Sequence, residues 1–109
     1  MFEEKKINIY GNRISLKKDE TEIAHAFIYF MNNDLHKESF AFIEDVFVEN
    51  KYRGQGFGKQ LMQQLIALAK KNNCYKIICT SRSSRMEVHK FYLKLGFSEH
   101  GKEFRLNLS

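Results

Sequence analysis

Residues 52–60 read Y-R-G-Q-G-F-G-K-Q, three glycines within five positions, between an apolar, β-branched run and a segment with helical spacing. At the start of a helix, backbone N–H groups without intrahelical acceptors converge with the positive end of the helix dipole, which suits an anion and above all a phosphate. The glycines permit left-handed dihedrals and remove side chains that would hold a phosphate away, while Arg53 and Lys59 can add charge. The plainer alternative is a tight strand-to-helix turn with no ligand, although such turns usually manage with one glycine. Two familiar phosphate motifs do not fit. A P-loop needs Gly where this chain has Arg53 and Ser or Thr where it has Gln60, and a G-x-G-x-x-G fingerprint is one residue longer than Gly54–Gly58.

Around this loop the hydrophobic periodicity lays out an ordered series of elements. Ile7–Leu16, with Ile7/Ile9 and Ile14/Leu16 alternating, and Ile23–Met31 read as two antiparallel strands joined by the polar Lys17–Glu22 turn. Phe40–Val48 is apolar on both parities except at Glu44 and Asp45, as in a central strand. Leu61, Leu65, Leu68 and Met62, Ile66, Ala69 form a helical stripe over Lys59–Asn72, which Asn72-Asn73 stops. Tyr75–Thr80 reads as a further buried strand, so Phe40–Thr80 is a βαβ unit whose strands are expected to be parallel with a right-handed crossover. Val88, Phe91, Tyr92 and Leu95 repeat at helical spacing before Gly96, and Phe104, Leu106 and Leu108 alternate as a final strand. The expected fold is mixed α/β: a partly antiparallel sheet with a central βαβ unit, in one domain over residues 1–109.

Composition narrows the function classes. The formal net charge is +5, but the basic residues are spread along the chain, so no nucleic-acid interface is expected. No apolar run approaches the roughly 20 residues of a membrane span, and no leader-like segment opens the chain, so a soluble cytoplasmic protein with no membrane partner is expected. Cys74 and Cys79, without metal-type spacing, read as reduced packing thiols, and no metal is expected.

The glycine loop resembles the acetyl-coenzyme A signature of the GNAT superfamily of N-acetyltransferases: Arg or Gln, two residues, Gly, one residue, Gly or Ala. Arg53, Gly56 and Gly58 fill it. I-E-D-V-F-V-E-N-K-Y-R-G-Q-G-F-G also resembles the family's central strand and pyrophosphate loop, and H-K-F-Y-L-K-L-G-F its closing helix and turn, so the similarity covers Phe40–Leu108. The resemblance implies acetyl-coenzyme A as cosubstrate. Backbone N–H groups of Gln55, Gly56, Phe57, Gly58 and Lys59 would hold its pyrophosphate, with Arg53 and Gly54 leading into the loop. Val46, Phe47 and Val48 would pair with the pantetheine arm as an added strand, and an N–H near Val46 would steady the oxyanion.

Acyl transfer to an amine needs a proton acceptor for the ammonium and a donor for the departing thiolate. Glu44 lies nine residues before Arg53, where diamine and hexosamine-phosphate acetyltransferases carry a similar Glu at the reaction centre. A carboxylate buried in so apolar a strand is costly unless paired or used, and a structural hydrogen-bonding role is its alternative. Asp45, on the opposite parity, reads as structural or substrate-orienting. Tyr92 matches the family tyrosine facing the coenzyme sulfur, with a core position as its alternative. His89 would touch the coenzyme or the proton relay, although a packing role competes; His25, His36 and His100 show no constellation.

Three departures from the family pattern stand out. Asn50 replaces the usual Pro, and Ser83-Ser84-Arg85 occupies the place of the usual Asn before the last helix. Family members also begin with a strand and two helices that wall the acceptor site, whereas this chain reaches its first hairpin at once. The expected activity is acetyl transfer from acetyl-coenzyme A to the primary amine of a small molecule or peptide, by direct attack in a ternary complex. Cys74 and Cys79 lie outside both motifs, so no covalent enzyme intermediate is needed. A non-catalytic acyl-coenzyme A binding or regulatory module is the rival. A homodimer is expected to cover Phe27, Tyr29, Phe30, Phe40 and Phe42.

Overall fold

Asp19 and Glu20 both take positive φ, 50° and 66°, the twist of a two-residue hairpin turn, and this small feature sets the first register. In the computed structural model, which describes residues 1–109, β1 (Tyr10–Lys18) runs antiparallel to β2 (Thr21–Met31), with Lys18 opposite Thr21 and Tyr10 opposite Phe30. The expected six-residue turn is thus two residues long, and Lys17, Lys18, Thr21 and Glu22 are strand. Ile7 and Ile9 fall outside β1: β2 ends at Met31, one residue beyond the partner of Tyr10, which leaves Ile7 nothing to pair with and Ile9 only the last residue of the strand.

β3 (Phe40–Val48) lies antiparallel to β2 and parallel to β4 (Ile77–Cys79), so the sheet order is β1-β2-β3-β4. The expected parallel pair is present but short. Only Ala41–Ile43 pair with Ile77–Cys79, so from Glu44 onward the β4-facing edge of β3 has no strand beside it.

Between β3 and β4, α1 (Phe57–Lys71) buries Leu61, Met62, Leu65 and Ala69. These meet a sheet face built from Ala24, Ala26, Ile28, Phe30, Ala41 and Ile43, each no more than 4% exposed. The helix ends as its asparagines suggest: Asn72 donates its side-chain amide to the Leu68 carbonyl at 2.8 Å, and Asn73 turns to φ 58°.

Contacts divide the chain into two compact units, residues 1–79 and 80–109. The second contains α2 (Met86–Lys94), which ends at Leu95 with Gly96 at φ 102°, as its stripe and glycine imply. The expected strand at Phe104–Leu108 is absent: residues 98–109 have no regular structure, and Phe104, Leu106 and Leu108 are 83–92% exposed. Alternation makes a segment fit for a sheet, but a strand forms only where another offers its backbone, and none pairs with this one.

Candidate functional site

The glycine loop has the geometry its sequence calls for. Arg53 follows a single 3₁₀ turn at Asn50–Tyr52, with no proline needed, and Gly54 and Gly56 adopt φ 77° and 87°. Gly56 is the N-cap of α1; the first intrahelical bond is Gln60 N–H to Gly56 carbonyl, at 3.1 Å. By helix geometry the N–H groups of Phe57, Gly58 and Lys59 therefore point out of the terminus without an intrahelical acceptor. No side chain caps this end and no acidic residue stands in the first turn, so the chain supplies no negative charge of its own there. Nothing lies within 4 Å of where a Cβ on Gly54 or Gly56 would stand. Their positive φ, not crowding by the chain, is what calls for glycine.

Arg53 is committed to the protein as well as to the loop. Its Nε donates to the Val48 carbonyl at 2.8 Å and its guanidinium lies 5.3 Å from the Phe47 ring centroid, which braces the end of β3 against the loop entrance. The unpaired edge Val46-Phe47-Val48 and the α1 N-terminus are thereby tied together within one unit.

A bulge interrupts β3 where its two carboxylates stand. Phe27 pairs with Glu44 but His25 with Phe47, so Asp45 and Val46 together face Ala26, and Asp45 takes φ 52°. Strand alternation places Asp45 opposite in face to Glu44; the bulge overturns that. Glu44 Oε1 accepts a bond from Tyr29 Oη at 2.9 Å, and Asp45 Oδ2 accepts one from His25 Nε2 at 2.9 Å. His25 and Tyr29 lie on the same face of β2, so both carboxylates do too.

Glu44 is exposed rather than buried, a correction to the expectation of a carboxylate sunk in an apolar strand. Ile43 beside it is buried on the α1 side, while Glu44 points away and takes its hydrogen bond from a phenol. That bond, followed by desolvation, raises the Tyr29 phenol above its ordinary range, so Tyr29 remains a donor. Gly11 makes room for the arrangement: a Cβ there would stand 2.6 Å from Tyr29 Cδ1 and 2.8 Å from the Ile28 carbonyl.

His25, which shows no constellation in sequence, sits in the middle of one. Its Nδ1 is 3.6 Å from Glu22 Oε2, and its ring packs 5.5 Å from that of Phe47 and 6.1 Å from that of Phe27. Glu22 is held by Arg13, whose Nη2 donates to Oε2 at 2.8 Å, and by Ser15 Oγ at 2.7 Å. These bonds, the Arg13 one foremost, lower the Glu22 carboxyl from 4.5 to about 2. The sequence marked none of Arg13, Ser15, Glu22, His25 and Tyr29 as a site residue. The usable signal was the odd parity of His25, Phe27 and Tyr29 in β2, which pairs with the acidic part of β3 once a register is known.

The remaining candidates belong to the second unit. Tyr92 is half-buried on α2, with its ring centroid 5.6 Å from that of Phe97. His89 Nε2 lies 2.9 Å from the Arg82 carbonyl, a bond that ties α2 to the loop before it. Phe30, counted among the aromatic residues a partner would cover, is 4% exposed in the core under α1; Phe27, Tyr29, Phe40 and Phe42 are half-buried. Cys74 and Cys79 are partly buried, and burial pushes the Cys74 thiol up.

A mixed sheet with a helix opened by a left-handed glycine beside an unpaired strand edge is an α/β arrangement that offers backbone donors to an anionic, amide-bearing ligand. The acetyltransferase (GNAT) family model matches residues 4–97, and the chain belongs to that family. It is 42% identical over 66 residues to a glucosamine 6-phosphate N-acetyltransferase of Trypanosoma brucei brucei, a match covering 61% of this chain and 43% of the relative. The chain therefore spans less than half the length of that curated relative. Among solved structures, a Trypanosoma brucei acetyltransferase superposes with TM-score 0.77 at 30% identity, over 92% of this chain and 69% of the other. A transcriptional regulator from Bacillus halodurans superposes with TM-score 0.86 at 26% identity, over 90% of this chain and 66% of the other.

Proposed function

We propose that this chain transfers the acetyl group of acetyl-coenzyme A to a primary amine, by direct attack in a ternary complex. The observation that carries the reading is the junction of β3 and α1: an uncapped helix N-terminus opened by Gly56, beside a strand edge that has lost its neighbour after Ile43. The N–H groups of Gln55 to Lys59 suit a pyrophosphate, and Val46–Val48 offer backbone to the amides of a pantetheine arm. A strand-edge N–H near Val46 would stabilise charge developing on the thioester oxygen.

Glu44 is the base in this reading. Tyr29 occupies one of its oxygens, leaving the carboxylate exposed on its other side to take a proton from an ammonium. Tyr92 is the acid that returns a proton to the departing thiolate, and His89 supports α2 through Arg82. The acceptor class favoured by the relatives is a phosphorylated amino sugar, since the 42%-identical relative carries glucosamine 6-phosphate N-acetyltransferase as its name. A second copy of the chain would complete the acceptor side as a homodimer, and the cytoplasm is the compartment where acetyl-coenzyme A would be met.

Calorimetry with acetyl-coenzyme A, followed by an acetylation screen over amino-sugar phosphates, polyamines, amino acids, aminoglycosides and peptides, tests this reading. Binding with turnover of one acceptor is expected. No binding at millimolar acetyl-coenzyme A would overturn it, and binding without turnover of any amine would favour a non-catalytic acyl-coenzyme A module. Tyr92→Phe separates acid from packing group: the ring remains, and a single-turnover rate slower by about 10²–10⁴-fold with unchanged melting temperature is expected.

A further inference from the structure

Asp45 is the only non-glycine residue inside a strand with positive φ, 52°; the others, Asp19, Glu20 and Asn73, lie in turns and a helix end. For a residue with a Cβ this conformation costs of order 1–3 kcal/mol and persists only where its surroundings over-determine it. One partner is visible: a carboxylate can only accept, so His25 Nε2–H donates to Asp45 Oδ2 at 2.9 Å. His25 is itself fixed, by Phe27 and Phe47 around its ring and by Glu22 at 3.6 Å from Nδ1. Arg13 and Ser15 hold Glu22 in turn. A chain of polar contacts thus crosses from β1 through β2 and ends on the bulge of β3.

We propose that His25 is a positioning residue that, through Asp45, locks the β3 bulge and so sets the direction of the Val46–Val48 edge towards the acyl donor. The inference rests on the acyl-transfer reading for its consequence but not for its geometry. Val46 and Val48 lie beyond the end of the β4 pairing, and a misplacement of about 1 Å in an edge that must meet a ligand can cost rate steeply. Asp at this position serves as a side chain that reaches back to β2; glycine would take the same φ without strain but could not be tethered.

The test compares His25→Ala, Asp45→Gly and Asp45→Asn in melting temperature, amide hydrogen exchange at residues 45–48 without ligand, and kcat/KM for acetyl-coenzyme A. His25→Ala and Asp45→Gly are expected to speed exchange at these amides about tenfold and to lower kcat/KM by about 10–10²-fold. Asp45→Asn keeps an acceptor oxygen and tolerates positive φ, so it is expected to recover most of what Asp45→Gly loses. Asp45→Gly with wild-type exchange and kcat/KM would show that conformation alone suffices and would overturn the lock. Loss in Asp45→Asn equal to that in Asp45→Gly would also overturn it, making the carboxylate a direct substrate contact. Faster exchange in the tether variants of a protein that ignores acetyl-coenzyme A would uphold the lock and sink the acyl-transfer reading instead.

Discussion

Glu44 and Glu22 show how one residue type takes different work from its surroundings. Glu44 accepts from a neutral phenol on an exposed face, whereas Glu22 accepts from a guanidinium and a hydroxyl. Glu44→Gln removes the proposed proton acceptor but keeps the Tyr29 bond, so activity is expected to fall near neutral pH and return as pH approaches the acceptor amine's own pKa. Equal loss across a pH–rate profile would assign Glu44 to binding. For Glu22 the folded-state pKa is depressed, so its stabilising contribution is present above its ordinary 4.5 and lost as pH falls towards about 2. Carbon-13 NMR titration should show that low midpoint, and Arg13→Gln should return it towards the ordinary value.

Elements here depend on two glycines for different physical reasons. At Gly56 the backbone takes φ 87° with open space around it, so Gly56→Val strains the N-cap and stands a branched side chain before the helix donors. Acetyl-coenzyme A affinity by calorimetry is expected to drop at least about tenfold, with some loss of melting temperature. At Gly11 the limit is room, and Gly11→Ala must push against the Tyr29 ring and the Ile28 carbonyl. A destabilisation of about 1–3 kcal/mol by chemical denaturation is expected, together with a Tyr29 phenol titrating nearer its ordinary range as its bond to Glu44 loosens.

For the whole molecule, apolar side chains at both ends stand in solvent: Phe2, Ile7 and Ile9 before β1, and Phe104, Leu106 and Leu108 after α2. Exposed apolar side chains of this size can be covered by association. A homodimeric mass by light scattering at micromolar concentration is expected, and a monomer throughout that range would remove the second copy from the proposed acceptor side. No helix is long and apolar enough to cross a membrane.

Local chemistry decided what was legible in the sequence. The stripe of α1, its asparagine stop, the glycine opening at Gly54 and Gly56, the apolar β3 and the α2 terminator at Gly96 each follow from dihedral preference or a short hydrophobic period. They hold whatever surrounds them. Pairing was decided only in three dimensions, because a strand exists by its neighbour's backbone: β1 starts at Tyr10 where β2 runs out, and Phe104–Leu108 alternates without becoming strand. The bulge at Asp45 is the sharpest case. Sequence parity sends Glu44 and Asp45 to opposite faces, while the register change beside Ala26 turns both towards His25 and Tyr29. One residue inserted against a partner strand reverses every face assignment after it, and only that partner reveals where the insertion falls.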